Sequence, residues 1–201
     1  MHPARAPASI KDPRHAAHQR RLDHREVDDD LVDPPVDGGR QPDPVLRRKA
    51  RKITEINKEL QVLIDNMIET MREAPGVGLA APQIGESIRL VVVEYGDDED
   101  ESVPVKLYTL INPEITHVSE ETDEGVEACL SVTGLVGSVE RYSALVIKAL
   151  NRHGKPQRVK ASGWLARIFQ HEIDHLDGVI YTDRASKVWK PSPEEEATIK
   201  D

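Results

Sequence analysis

Residues 164–176, WLARIFQHEIDHL, limit what this chain can fold into more than any other stretch. They read as a helix of about thirteen residues that Asp177-Gly178 closes. Positions i and i+4 of a helix share a face roughly 6 Å apart, so His171 and His175 project together and can chelate one metal ion. Glu172 is turned about 100° from the first histidine, where it can reach a water on the ion without binding the ion itself. Asp174 faces away, placed to orient a histidine nitrogen from behind. The same pattern also fits an amphipathic helix whose histidines are only hydrogen-bonded. A catalytic metal takes three protein ligands and keeps one position open, so the third ligand decides the chemistry. Two candidates compete: Cys129 in EGVEACLSVTG, and Glu194, Glu195 or Glu196 at the distance where glutamate-type HExxH peptidases place theirs. The glutamates lie in KPSPEEEATIKD, which reads as a solvated tail, and a lone cysteine is most often a small buried hydrophobe.

The helix needs a core to pack against, and aromatic residues, 3% of the 201, cannot supply it. Val, Ile, Leu, Met and Ala must. Leu60, Leu63, Ile64, Met67, Ile68 and Met71 recur at three- and four-residue spacing and predict an amphipathic helix from its cap at Asn57 to the break at APG, 74–76. IRLVVVEY, 88–95, has the β-branched run of a buried strand. A charged loop, 96–104, leads to YTLINPEITHV, where Pro113 predicts an edge position or a bend. SALVIKALN and QRVKAS predict a hairpin across RHGKP. Short strands outnumber helices and do not alternate with them. That pattern predicts an α+β fold, with mainly antiparallel sheets around the HExxH helix and an N-terminal amphipathic helix. Residues 1–40, rich in Pro, Asp, Arg and His, read as a disordered extension, 41–185 as the catalytic domain and 186–201 as a charged tail. His2, His15, His18 and His24 match no ligand spacing.

Several function classes are disfavoured. A formal net charge of −9, with 31% charged residues, argues against nucleic acid or anionic membrane as a partner. No apolar run approaches the roughly 20 residues of a bilayer span, and the start lacks the apolar region of a secretory signal. Early arginines would suit a transit peptide, but Asp28–Asp30 argues against one. One cysteine allows no intramolecular disulfide, which fits a cytoplasmic location.

Three blocks in order decide the reading: GVGLAAPQ with Ile84-Gly85 (76–85), EACLS (127–131) and QHEIDH (170–175). Together they closely resemble the three motifs of the peptide deformylases, from PDPVLRRKA, 42–50, to about Arg184. The resemblance implies removal of the formyl group from the N-terminal formyl-methionine of nascent polypeptides, with transient proximity to the ribosome and release of formate. It implies Cys129, His171 and His175 as ligands of one divalent ion, usually Fe²⁺, with Zn²⁺, Ni²⁺ or Co²⁺ as substitutes. It makes Glu172 the general acid and base, and the Gln83 amide with the Leu130 N–H the donors to the developing oxyanion. It also implies that the glycine-rich segment pairs with the peptide like an added strand, with Gly78 as the contact. Gly76 and Gly78 are expected to allow close approach and conformations closed to other residues. Val77, Trp164, Arg167 and Ile168 are candidates for the methionine pocket, though Trp164 would serve equally in the core. Ala128 replaces a glycine of the family pattern and would be strained if that position needed a positive φ. Glu127 is expected to pair with an arginine such as Arg141. An HExxH peptidase and a catalytically silent module that binds N-terminal peptides are the alternatives.

Overall fold

Val91, Val92 and Val93 are fully buried, and the two-residue period of a strand sends them to different cores. In β3 (Leu90–Tyr95), Leu90 and Val92 pack with helix α1 (Lys58–Glu73), whereas Val91 and Val93 pack with helix α2 (Gly163–Leu176). A strand covered on both faces is apolar throughout, which is why this run lacks alternation. The structure, a computed structural model, describes residues 10–11, 43–74, 76–96 and 104–196. Apart from Ile10–Lys11, the extension expected over 1–40 lies outside the described residues, as does most of the charged loop.

The large sheet runs β2 (Gly78–Ala80), β3, β4 (Lys106–Ser119), β7 (Ala144–Leu150), β8 (Pro156–Ser162), with β1 (Ile10–Lys11) pairing β4 at Val118 and Ser119. A smaller sheet runs β5 (Thr122–Cys129), β6 (Val132–Tyr142), β9 (Lys187–Trp189). All of these strand pairings are antiparallel, and the fold is mixed α+β. A short helix, α3 (Pro193–Glu196), follows β9.

Local chemistry explains the elements. Asn57 caps α1 by accepting from the Leu60 N–H at 2.9 Å, and Leu60, Ile64, Met67, Ile68 and Met71 form the buried stripe. Pro113 bends β4 without making it an edge, since β3 and β7 flank it on its two sides. The missing N–H falls in a register shift between Ile111 and Glu114, where Asn112 adopts φ 53° and its amide holds the Ile53 backbone both ways at 2.8 Å. The pattern of 132–142 does not predict β6, because Gly134 and Gly137 interrupt it. Gly137 is needed there: a Cβ would lie 2.9 Å from the Ala185 Cβ and 3.0 Å from the Tyr181 ring. At the end of α2, Gly178 takes φ 77°, and Arg89 donates to Leu176 O at 3.3 Å and to the Asp177 carboxylate at 2.7 Å. Among the described residues no helix is long and apolar enough to cross a membrane.

Candidate metal centre

Two sides of α2 do different work. Ala166, Ile168, Phe169, Ile173 and Leu176 enter the core under the large sheet. Arg167, Asp174 and His175 are just as buried, 0–8% exposed, yet polar; charged groups of the β5–β6 hairpin match Arg167 and Asp174, while His175 Nδ1 has no hydrogen-bond partner. Cys129 ends β5, and its Sγ lies 3.4 Å from His175 Nε2. His171 gives Nδ1 to Glu127 Oε2 at 2.9 Å, which turns its other ring nitrogen toward the same point. One donor atom from each of Cys129, His171 and His175 lies within 4.8 Å of the others. Lone pairs crowded this closely repel unless a proton or a cation lies between them, and a sulfur with two imidazoles suits zinc or iron. The donor set therefore fits a divalent ion.

Protonation favours the same outcome. Burial pushes the His175 ring down to about 3, aided by His171 and Arg141, so this imidazole is neutral. Burial opposes a charge on His171, but hydrogen bonds with Cys129 and Glu127 prevail and raise it well above the usual range. An incoming ion must displace that proton.

Glu127 is the hub behind the three candidate ligands. Its Oε1 accepts from Arg141 Nε at 2.8 Å and Arg167 Nη1 at 3.0 Å; its Oε2 accepts from Arg141 Nη2 and His171 Nδ1, both at 2.9 Å. Burial alone would raise this carboxyl, but the bonds from Arg141 and His171 hold it at about 2. Asp174, expected to orient a histidine, instead accepts from Arg141 at 2.6 Å and from Arg184 at 2.6 and 2.7 Å. The residue that orients a histidine is Glu127, forty-four positions away in the chain and invisible to helical spacing.

A cleft opens over this centre. Val77, Gly78, Gln83, Leu130, Trp164 and Ile168 line it, with Arg167 and Glu172. The Gln83 carbonyl accepts from the Ala80 N–H at 2.7 Å, so its amide nitrogen faces Ser131 Oγ at 3.4 Å and Cys129 Sγ at 3.7 Å. Burial pushes the Glu172 carboxyl up to about 7, and its Oε2 has no hydrogen-bond partner. Gly78 is required by close approach, since a Cβ would meet Glu172 Oε1 at 2.6 Å; neither Gly76 nor Gly78 has a positive φ, contrary to the expectation of special backbone conformations. Ala128 is unstrained as well: among the described residues the non-glycine with positive φ is Asn112, and the Ala128 methyl simply borders the cleft. Trp164 stands at the rim, 40% exposed. Glu194 is exposed, and the side chains of Glu195 and Glu196 lie outside the described residues. Tyr181, which no motif singles out, stacks on His171 with centroids 6.1 Å apart and donates to Leu135 O at 2.9 Å.

The model of the polypeptide deformylases matches residues 39–190. The chain belongs to the polypeptide deformylase family. Among curated relatives, the peptide deformylase of Natranaerobius thermophilus is 50% identical over 148 residues, which cover 74% of this chain and 90% of the relative. The crystal structure of the Thermotoga maritima peptide deformylase is 40% identical and covers 72% of this chain and 93% of its own, with a TM-score of 0.65. The Acinetobacter baumannii peptide deformylase, solved with Met-Ala-Ser bound, is 34% identical and covers 72% and 94%, with a TM-score of 0.66. Identity and coverage of this order make the chain a peptide deformylase-family hydrolase, and the metal-ready cluster lies within the matched span.

Proposed function

We propose that this chain removes the formyl group from the N-terminal formyl-methionine of newly synthesised polypeptides by metal-dependent hydrolysis and releases formate. One observation carries the reading: donor atoms of Cys129, His171 and His175 meet within 4.8 Å beneath a cleft that also presents Gln83 and Glu172. Family membership supports it, and the Met-Ala-Ser held by the Acinetobacter relative is the kind of peptide such a reaction leaves behind. A divalent ion held by the three ligands, Fe²⁺ in this reading with Zn²⁺, Ni²⁺ or Co²⁺ as substitutes, supplies Lewis acidity that makes water nucleophilic near neutral pH.

The chain's own residues do the rest. Glu172 takes the proton from the attacking water and returns it to the leaving amine, a double duty that suits a carboxyl near 7. Gln83, held through its carbonyl by Ala80, keeps its N–H donors aimed at the formyl oxygen while charge develops, and the Leu130 N–H joins it. β2 ends the large sheet, so the backbone at Gly78 offers an edge to an extended peptide. Val77, Trp164, Ile168 and the Arg167 methylenes form the methionine pocket. In this reading α2 is the central element, residues 41–185 are the catalytic unit, and the enzyme works in the cytoplasm on chains leaving the ribosome.

The test is anaerobic purification with metal analysis and formate release from formyl-Met-Ala-Ser. One ion per chain and stoichiometric formate are expected; Cys129→Ala loses both, and Glu195→Ala loses neither. A metal-loaded wild type that releases no formate refutes the reading.

A further inference from the structure

The ligand tripod straddles two elements whose buried apolar residues fall in separate clusters, with half-buried Tyr142 of β6 packed against the core that holds α2. Cys129 belongs to the small sheet, and the buried apolar cluster around it joins Val139 of β6 and Tyr181 of the turn after α2. His171 and His175 belong to α2, whose apolar side is committed to the large sheet. Hydrogen bonds between α2 and the hairpin therefore carry much of the spacing between the sulfur and the imidazoles.

Arg167 is placed to do so. Its side chain is 5% exposed. It donates to Asp123 O and Val139 O at 2.7 Å each, to Glu127 Oε1 at 3.0 Å and to Gly125 O at 3.5 Å. These acceptors lie on β5 and β6, and three of the four are backbone oxygens. A guanidinium can grip several fixed acceptors at once because its N–H groups form a rigid fork. The strand is shaped to receive it, since a Cβ on Gly125 would lie 2.8 Å from the Arg167 guanidinium carbon. Arg167 and His171 are four residues apart on one helical face, and each holds a different oxygen of Glu127. Arg141 grips the same carboxylate, but from β6 within the small sheet, and it reaches α2 only through Asp174.

We propose that Arg167 is a positioning residue that ties α2 to the backbone of β5 and β6 and thereby sets the sulfur–imidazole spacing on which metal affinity depends. The inference rests on the metal-hydrolase reading. It differs from a pocket-wall role, which would alter the KM for the peptide and leave the metal untouched.

Co²⁺ affinity of the full-length chain, measured by competition with a chelator, and the visible spectrum of the Co²⁺ protein provide the test. Arg167→Met should weaken Co²⁺ by about 10–100-fold, the usual effect of losing a partner behind the ligands, and change the spectrum. Gly125→Ala displaces the guanidinium without removing it and should weaken Co²⁺ by at least about fivefold; it decides the matter if Arg167→Met does not fold. Asp123→Ala removes only a side chain that is 79% exposed and should stay within about twofold of wild type. Wild-type Co²⁺ affinity in Arg167→Met or Gly125→Ala overturns the proposal, whether the loss is confined to KM or to the melting temperature of the metal-free protein. A wild type that binds no Co²⁺ overturns the metal reading itself, and this inference with it.

Discussion

The two buried sides of α2 are held by different physics. Toward the large sheet, Phe169, Ile173 and Leu176 sit in an apolar core, with Phe169 edge-on to Tyr108 at 5.3 Å. Toward the small sheet, Arg167, His171 and Asp174 meet Glu127 and Arg141 through bonds of 2.6–3.0 Å. Apolar attraction scales with area and has no direction, so that side tolerates small shifts. Forked, charge-assisted bonds hold only in one geometry. Buried ion pairs are a poor source of net stability because removing charges from water costs so much. Their concentration behind the candidate ligands is explained by position: in the proposed function, the side that holds a metal to a fraction of an ångström is the polar one.

Substitutions can break this contrast. The largest effect should come from Arg141→Met, which removes three buried charge-assisted bonds to Glu127 and Asp174; unfolding in urea should show a loss of about 3–5 kcal/mol, and a loss below about 1 would remove the distinction between the sides. Gln83→Ala touches neither side. It should lower kcat/KM for formyl-Met-Ala-Ser by about 10²–10³, while stability falls only by the lost bond to the Ala80 N–H, about 1–3 kcal/mol. Glu172→Gln sharpens the contrast through pH. The folded carboxyl sits at about 7 and the free one at 4.5, so the burial penalty is absent below 4.5 and complete above 7. Relative to the variant, wild-type metal-free protein should lose stability between those values, since the gain from the depressed His175 ring over the same range is common to both. The variant should be more stable by on the order of 3 kcal/mol at pH 8 and equal near pH 4, with hydrolysis reduced about 10²–10⁴-fold. Chelator-treated protein unfolded at several pH values would check this. The smallest effect belongs to the apolar side: Phe169→Leu should cost less than about 1.5 kcal/mol and leave Co²⁺ affinity unchanged.

Legibility in the sequence follows the same division. Elements with local signals are readable: the Asn57 cap and buried stripe of Lys58–Glu73, the valine run of β3, and the β7–β8 hairpin around Gly154. β6 is not readable, because its glycines answer to Tyr181 and Ala185, distant neighbours that no window of sequence contains. Pro113 suggests an edge or a bend by local rules; it makes a bend, which Asn112 and Ile53 absorb inside the sheet. Around the candidate site, helical spacing places His171 and His175 on one face, but it assigns Asp174 to a task that belongs, in the structure, to Glu127.

By itself the sequence determined which residue types sit at helical and strand spacing, and three ordered motifs determined the family. Both are written in short windows, where backbone geometry alone relates one side chain to the next. Only the tertiary structure decided which carboxylate backs His171, why residue 78 is a glycine, and how Arg167 joins α2 to the strand that carries Cys129. Those facts depend on the approach of surfaces about thirty to ninety residues apart in the chain, and distance in space is fixed by packing, not by order along the backbone.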